Sequence, residues 1–170
     1  MRTLHVAVAQ IHSRGPVPET LTRIERQVRA AATSGAEVIL FSECALHGYD
    51  YDLTPELLGS LAEAADGSGC TAVKAMAQRH ALTVCMGFFE RANGCFYNSV
   101  LVAFPDGRSA LARKHVLTPG ELRAGLTAGA RERTVITLNG VRVAILICAD
   151  TGIEGIAAEL KGQGVDYQFI

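Results

Sequence analysis

The sequence predicts an α/β or α+β fold on a largely mixed sheet, and three observations predict it. Apolar residues recur at helical spacing through Glu19–Ser34, whereas Val38–Phe41 is a continuous apolar run, so a crossover helix feeds a buried strand. Asn93-Gly94 and Asn139-Gly140 each sit between β-rich runs, which is the sequence mark of a tight hairpin. The chain has 170 residues, 49% hydrophobic and 19% charged, which suffices for one domain with a real core.

The elements follow in order. Leu4–Ile11 is β-rich and ends at Gly15, Pro16 and Pro18. Glu19–Ser34 places Leu21, Ile24, Val28, Ala31 and Ala32 on one helix face, with Gly35 as a stop. Val38–Phe41 is a strand, and Ser42–Thr54, rich in Gly, His, Tyr and Asp, is the loop at its C-terminal end. Thr54 as N-cap and Pro55 at the first helical position start a helix over Pro55–Ala65, and a second runs over Cys70–His80. Leu82–Glu90 and Phe96–Phe104 pair around Ala92-Asn93-Gly94, and Pro105-Asp106-Gly107 turns the chain into a strand over Ser109–His115. Arg133–Leu138 and Val141–Ile147 flank Asn139-Gly140, Thr151–Lys161 is a short helix, and Val165–Ile170 begins a further strand. The chain stops inside that apolar strand, so a fragment of a longer protein is expected.

Composition excludes several classes. Sixteen Lys plus Arg against seventeen Asp plus Glu give a net charge of −1, without the basic footprint of a nucleic-acid binder or a polybasic membrane anchor. No run approaches the roughly 20 apolar residues that span a bilayer, and Met1–Leu4 passes into a strand without a leader pattern. Five cysteines in odd number, without C-x-x-C spacing, fit neither a disulfide framework nor a zinc site, so a cytoplasmic setting is expected.

Chemistry concentrates at strand ends. Cys148 follows Val143–Ile147, at the rim where α/β folds place ligands. If a helix starts just after it, backbone N–H groups and the dipole lower the thiol pKa and offer an oxyanion site. Position alone leaves a nucleophile and a packed thiol both open. Glu43 follows the Val38–Ser42 stretch, where a carboxylate is costly unless paired or catalytic, and Lys114 lies at the end of the Ser109–His115 strand; taken singly, the first also reads as a solvated loop residue and the second as a surface lysine. Together they supply a proton acceptor, a cation and a nucleophile, the set a thiol needs to attack an amide or nitrile carbon.

These residues and their surroundings resemble the nitrilase superfamily of carbon–nitrogen hydrolases. The matching stretches are His5–Gln10, Val38–Glu43 with Leu46–Tyr49, Gly87–Arg91, Tyr97–Val100, Asp106-Gly107 with Arg113–Leu117, and Ile147–Asp150. The resemblance covers the whole chain and implies an α-β-β-α sandwich, incomplete because C-terminal strands are missing, in a single domain over residues 1–170. It implies Glu43 as general base, Lys114 as oxyanion stabiliser and Cys148 as nucleophile, with Glu121 beside the lysine and the Ala149 N–H completing the oxyanion hole. It further implies cleavage of a small linear amide or N-carbamoyl compound through a cysteine thioester, without metal or organic cofactor. A homo-oligomer with a small-molecule amide substrate, and with neither nucleic acid nor membrane as partner, is expected. On this reading Lys114→Ala removes several orders of magnitude in rate and leaves the fold intact. Departures from the family pattern are Ser42 where Pro is usual, and the small Ala149 and Thr151-Gly152 after the cysteine, which alter the pocket. The alternatives are a nitrilase or acyltransferase of the same superfamily, and an inactive fragment serving as an assembly module.

Other signals carry less. Gly67–Ala72 fits a loose dinucleotide pattern but follows a helix, so a helix-to-helix turn is expected. Cys44 and Cys70 read as packing residues, and Cys85 and Cys95, on neighbouring strands, could pair only under oxidation, which a cytosolic setting disfavours. His47 and His115 are either substrate contacts or structural hydrogen-bonding groups; Tyr49 and Tyr51 are candidates for the pocket mouth. His5, His12 and His80 have no metal-ligand spacing.

Overall fold

Hairpins and crossovers sort the strands into two mixed sheets, as the resemblance to an α-β-β-α sandwich implies. The computed structural model describes residues 3–13, 15–49, 52–130 and 132–170, so Tyr51 lies outside the described residues. β1 (Val6–Ala9), β2 (Val38–Phe41), β3 (Thr83–Ala92), β4 (Cys95–Ala103) and β5 (Ser109–Arg113) form a five-stranded sheet in that order. The first three are parallel and need crossovers, supplied by α1 (Val17–Thr33) and by α2 (Pro55–Leu61) with α3 (Ser68–His80). The last two pairings are antiparallel hairpins. Segment 114–134, which carries α4 (Pro119–Arg123), then leaves this sheet. β6 (Val135–Leu138), β7 (Val141–Ile145) and β8 (Tyr167–Phe169) form the second sheet, with α5 (Ile156–Gly162) as its crossover.

The period-2 alternation of side chains makes the layers. On one face of the first sheet, Ile39, Val84, Met86 and Leu101 pack against Ile24 and Val28 of α1 and Val73 and Ala77 of α3. On its other face, Val38, Cys85 and Val102 meet Ile136, Val143, Ile145 and Phe169 of the second sheet. Ala144 and Leu146 point the opposite way and are covered by Ile156 and Leu160 of α5. The result is four layers, α-β-β-α. Val6 and Val8 of edge strand β1 stay 41% and 77% exposed, although their register partners Val38 and Leu40 pack toward the second sheet. Among the described residues no helix is long and apolar enough to cross a membrane.

Local signals and structure differ in instructive places. Thr54 caps α2 by accepting the Leu57 N–H at 3.2 Å, but the helix ends at Leu61 because Glu63 turns extended and bridges to Glu90. Asn93-Gly94 and Asn139-Gly140 both take positive φ at each residue, as a two-residue hairpin turn requires. The expected Thr151–Lys161 helix is broken by Gly155 at φ +76 into a 3-10 turn over Cys148–Gly152 and α5. Cys85 faces Val102 and Cys95 faces Ala92 across the β3–β4 ladder, so they lie at opposite ends of the hairpin and are both free thiols. The Gly67–Ala72 turn opens α3, and the Glu63 carboxylate accepts the N–H groups of Gly69 at 3.1 Å and Cys70 at 2.6 Å, which fills the helix N-terminus from within.

Candidate active site

Glu43, Lys114 and Cys148 leave three different strands and meet at one rim. Glu43 lies two residues beyond β2. Its loop is pressed onto β3 at Gly87, where an added Cβ would lie 2.4 Å from the Cys44 nitrogen and 2.6 Å from the Ser42 carbonyl oxygen. Lys114 is the first residue after β5, its N–H donating to the Asn98 carbonyl at 2.9 Å, and its side chain is fully buried. Cys148 follows β7 and Ile147, is exposed, and has φ +47, a left-handed conformation that costs a non-glycine residue energy and often marks a functional turn.

The lysine ammonium donates to Glu43 Oε1 at 2.7 Å and to Glu121 Oε1 at 2.9 Å. Asn98 Nδ2 donates to the same two oxygens, each at 2.7 Å. Two donors and two acceptors therefore close a ring in which every buried polar atom is satisfied. Glu121 is held for this by a capping box on α4: its N–H donates to Thr118 Oγ1 and its Oε2 accepts the Thr118 N–H at 2.8 Å.

The electrostatics follow from burial against pairing. Burial works to neutralise Lys114, but hydrogen bonds to Glu43 and Glu121 outweigh it and raise its pKa, so it stays an ammonium. Burial works to raise Glu121, and bonds from the Thr118 N–H, Lys114 and Asn98 reverse that and lower it. The Cys148 thiol is raised above its ordinary value, by burial first and then by the Glu43 charge, with Lys114 and the Ala149 N–H opposing. The lowering expected if a helix follows the cysteine does not arise: a 3-10 turn starts there, and the Glu43 charge raises the thiol. Burial likewise pushes Tyr49 up.

Glu43 and Cys148 line one cavity of about 530 Å³, together with Ile11, Ser13, Tyr49 and Thr118. His12 also borders it, a contact the sequence pattern does not reveal. His47 does not reach this cavity. It is buried under the loop, its Nδ1 accepting the Phe89 N–H at 3.1 Å and its ring stacked on Phe89 at 6.0 Å. His115 contributes its backbone N–H to Asp150. Cys44 is buried beside Glu43, its thiol donating to Asn98 Oδ1 at 3.6 Å, and burial holds it protonated. Among the described residues no group of three His, Cys, Asp or Glu is placed to hold a metal ion.

Beside the site, the buried polar residues Asn98 and Asp150 carry no sequence expectation of their own. The Asp150 carboxylate accepts the N–H groups of His115 at 2.9 Å, Val116 at 2.8 Å and Ile147 at 3.1 Å. The capping box around Glu121 has a readable signal, Thr-Pro-Gly-Glu at 118–121, whereas the partners of Asn98 and Asp150 are distant in sequence or set by the 3-10 turn over Cys148–Gly152.

The layer order, with an acid, an amine and a thiol at one rim, defines the class: a four-layer α-β-β-α sandwich with its chemistry at the strand ends. The model of the family described as carbon-nitrogen hydrolase matches residues 5–170, and the chain belongs to that family. It is 31% identical over 155 residues to an (R)-stereoselective amidase of Pseudomonas sp., an alignment covering 89% of this chain and 54% of that protein. It is also 31% identical over 169 residues to a Pseudomonas protegens protein named hydrolase in pqqF 5'region, covering 98% and 58%. The chain thus spans little more than half the length of these relatives. In fold it is similar to XC1258 of Xanthomonas campestris, a CN-hydrolase superfamily protein with an arsenic adduct in its active site. That match has a TM-score of 0.79 and 22% identity over 90% of this chain and 56% of the other. An amidase from Nesterenkonia sp. superposes with a TM-score of 0.80 at 16% identity, covering 97% and 63%. A structure of a glutamate-to-glutamine mutant of the amidase from Nesterenkonia sp. AN1 shows the Michael addition of acrylamide at its active-site cysteine.

Proposed function

We propose that the protein cleaves the C–N bond of a small linear amide or N-carbamoyl compound through an acyl-enzyme on Cys148. The reading rests on one observation above all: a fully buried ammonium clamped between two carboxylates, one of which shares a cavity with a strained, accessible cysteine. The chemistry then balances. Glu43 takes the Cys148 proton as the sulfur attacks the carbonyl carbon, and the electron pair of the C=O bond moves onto oxygen. Lys114 and the Ala149 N–H hold that oxyanion. It collapses, the C–N bond breaks, and protonated Glu43 returns its proton to the departing ammonia or amine. A water deprotonated at Glu43 attacks the thioester, the C–S bond breaks, the sulfur recovers the proton, and a carboxylic acid leaves. Glu121 acts through Lys114, and Tyr49 and Thr118 line the substrate space.

Burial and the Glu43 charge hold the Cys148 thiol above its ordinary value, which supports a mechanism in which a neighbouring base takes the proton as the sulfur attacks. The deciding assay is ammonia release from a panel of short aliphatic amides and N-carbamoyl compounds, by the wild-type chain and by Cys148→Ala. Release by wild type alone supports hydrolysis. Release of acyl groups to hydroxylamine without hydrolysis would reassign the chain as an acyltransferase. A folded chain inactive in both assays would overturn the enzymatic reading in favour of an assembly module, to which the exposed Val6 and Val8 edge is suited.

A further inference from the structure

Three backbone N–H groups that have run past the end of their strands converge on one carboxylate. β5 ends at Arg113 and β7 at Ile145, so the amides of His115, Val116 and Ile147 have no ladder partner. Asp150 Oδ1 accepts the first two and Oδ2 the third, and the residue is 1% exposed. Its side chain therefore spans from the residues just after Lys114 to the residue just before Cys148. The Lys114 ammonium is held by Glu43 and Glu121, and the link from its loop to that of Cys148 runs through Asp150.

We infer that Asp150 is a positioning residue that fixes the Lys114 ammonium relative to the Cys148 sulfur. Its activity consequence rests on the reaction proposed above, but the geometric claim does not. Aspartate is the residue type this needs, because three N–H donors on two oxygens require both oxygens to accept, and an asparagine turns one into a donor facing an N–H. The carboxylate does not border the cavity, so it acts on the chemistry only through its neighbours.

The test is Asp150→Asn in the full chain, with circular dichroism as the check on folding and iodoacetamide alkylation of Cys148 followed by peptide mass spectrometry across pH. Removing a negative charge by itself moves the alkylation midpoint down. Moving the Lys114 charge, which opposes the rise of the thiol, away from the sulfur moves it up and slows alkylation, and that is the expected result. A midpoint unchanged or lowered in a folded variant overturns the inference. Alkylation needs no turnover, so a chain that hydrolyses nothing still decides the question. Where turnover is present, kcat falls about 100-fold, the usual consequence of a misplaced catalytic group, while KM stays put; a change in KM alone counts against the inference. If the variant does not fold, amide hydrogen exchange in the wild-type chain decides: the amides of His115, Val116 and Ile147 exchange at one common protected rate if Asp150 holds them together, and at unrelated rates if it does not.

Discussion

Lys114 and Glu43, 71 residues apart, are joined at 2.7 Å through a single carboxylate oxygen, which also accepts Asn98 Nδ2. Both donors crowd onto Oε1, which leaves Oε2 as the oxygen available to a thiol proton or a water. One oxygen of the carboxylate is thus committed to holding Lys114 and Asn98, and the proposed chemistry falls to the other. The expected reading of Glu43 as a base and Lys114 as a cation for the oxyanion is compatible with this division of one side chain.

The division has a measurable consequence for Cys148. After burial, Glu43 raises the thiol and Lys114 opposes it. The wild-type alkylation rate should therefore keep climbing with pH beyond the midpoint of an ordinary thiol. Glu43→Gln removes the nearby charge and moves the midpoint down, and Lys114→Ala moves it up. Stopped-time labelling with iodoacetamide over a pH series checks all three. Equal midpoints in the three proteins would separate the sulfur from the pair.

Lys114→Ala also has a stability cost that its place at a strand end does not reveal. The lysine is wholly buried, and its loss leaves the Glu121 carboxylate, itself 1% exposed, beside that of Glu43 without a cation. Breaking a buried ion pair from one side typically costs about 3–5 kcal/mol. Lys114→Ala should therefore keep its fold, as expected, but unfold at clearly lower urea. Adding Glu121→Gln should recover part of the loss, because the stranded charge is removed. A double variant no more stable than the single one would contradict this.

What was legible in the sequence is what short-range physics decides. Thr54 before Pro55, the Asn-Gly turns and the apolar run before Cys148 each carry their signal within a few residues, and each appears in the structure. The layers were legible only through resemblance. Nothing local tells Val143, facing the first sheet, from Ala144, facing α5. The site shows the same split. Glu43, Lys114 and Cys148 announce themselves as strand-end residues, but the burial of Lys114 depends on Asn98 and Glu121 arriving from β4 and α4. The left-handed backbone of Cys148 is illegible in principle, since nothing favours that φ for a cysteine except the surroundings that impose it.

Gly87 tests how tightly the Glu43 loop must sit. Its backbone carbonyl accepts the Leu46 N–H at 3.0 Å, so strand and loop are in direct contact. The atoms a new methyl group would strike are backbone atoms of residues 42–44, which cannot swing away as a side-chain tip can. Gly87→Ala should cost about 1–3 kcal/mol, as overpacking does. It should also push Glu43 away from Lys114, so activity falls more than the loss of folded protein explains. Thermal unfolding and initial rates, measured on one preparation, separate the two effects.

His47 should act as an acid-sensitive pin under the same loop. Burial pushes its pKa down to about 4, against a weak opposing pull from Glu63, and the neutral ring accepts the Phe89 N–H. An unfolded histidine titrates near about 6.5. A group whose folded pKa is depressed contributes its full stability above the unfolded value and loses it as pH falls toward the folded one. The window is therefore between about pH 6.5 and pH 4, and the loss across it is roughly 2–3 kcal/mol at about 1.36 kcal/mol per pKa unit. Carboxylates and other histidines titrate in the same range, so the comparison is with His47→Gln, which retains a neutral acceptor and has no proton to gain. Urea unfolding at pH 7 and pH 4.5 should show the wild type losing more stability than this variant by that amount. Parallel losses in the two proteins would mean that the imidazole is protonated in place and that the Phe89 N–H has found another partner.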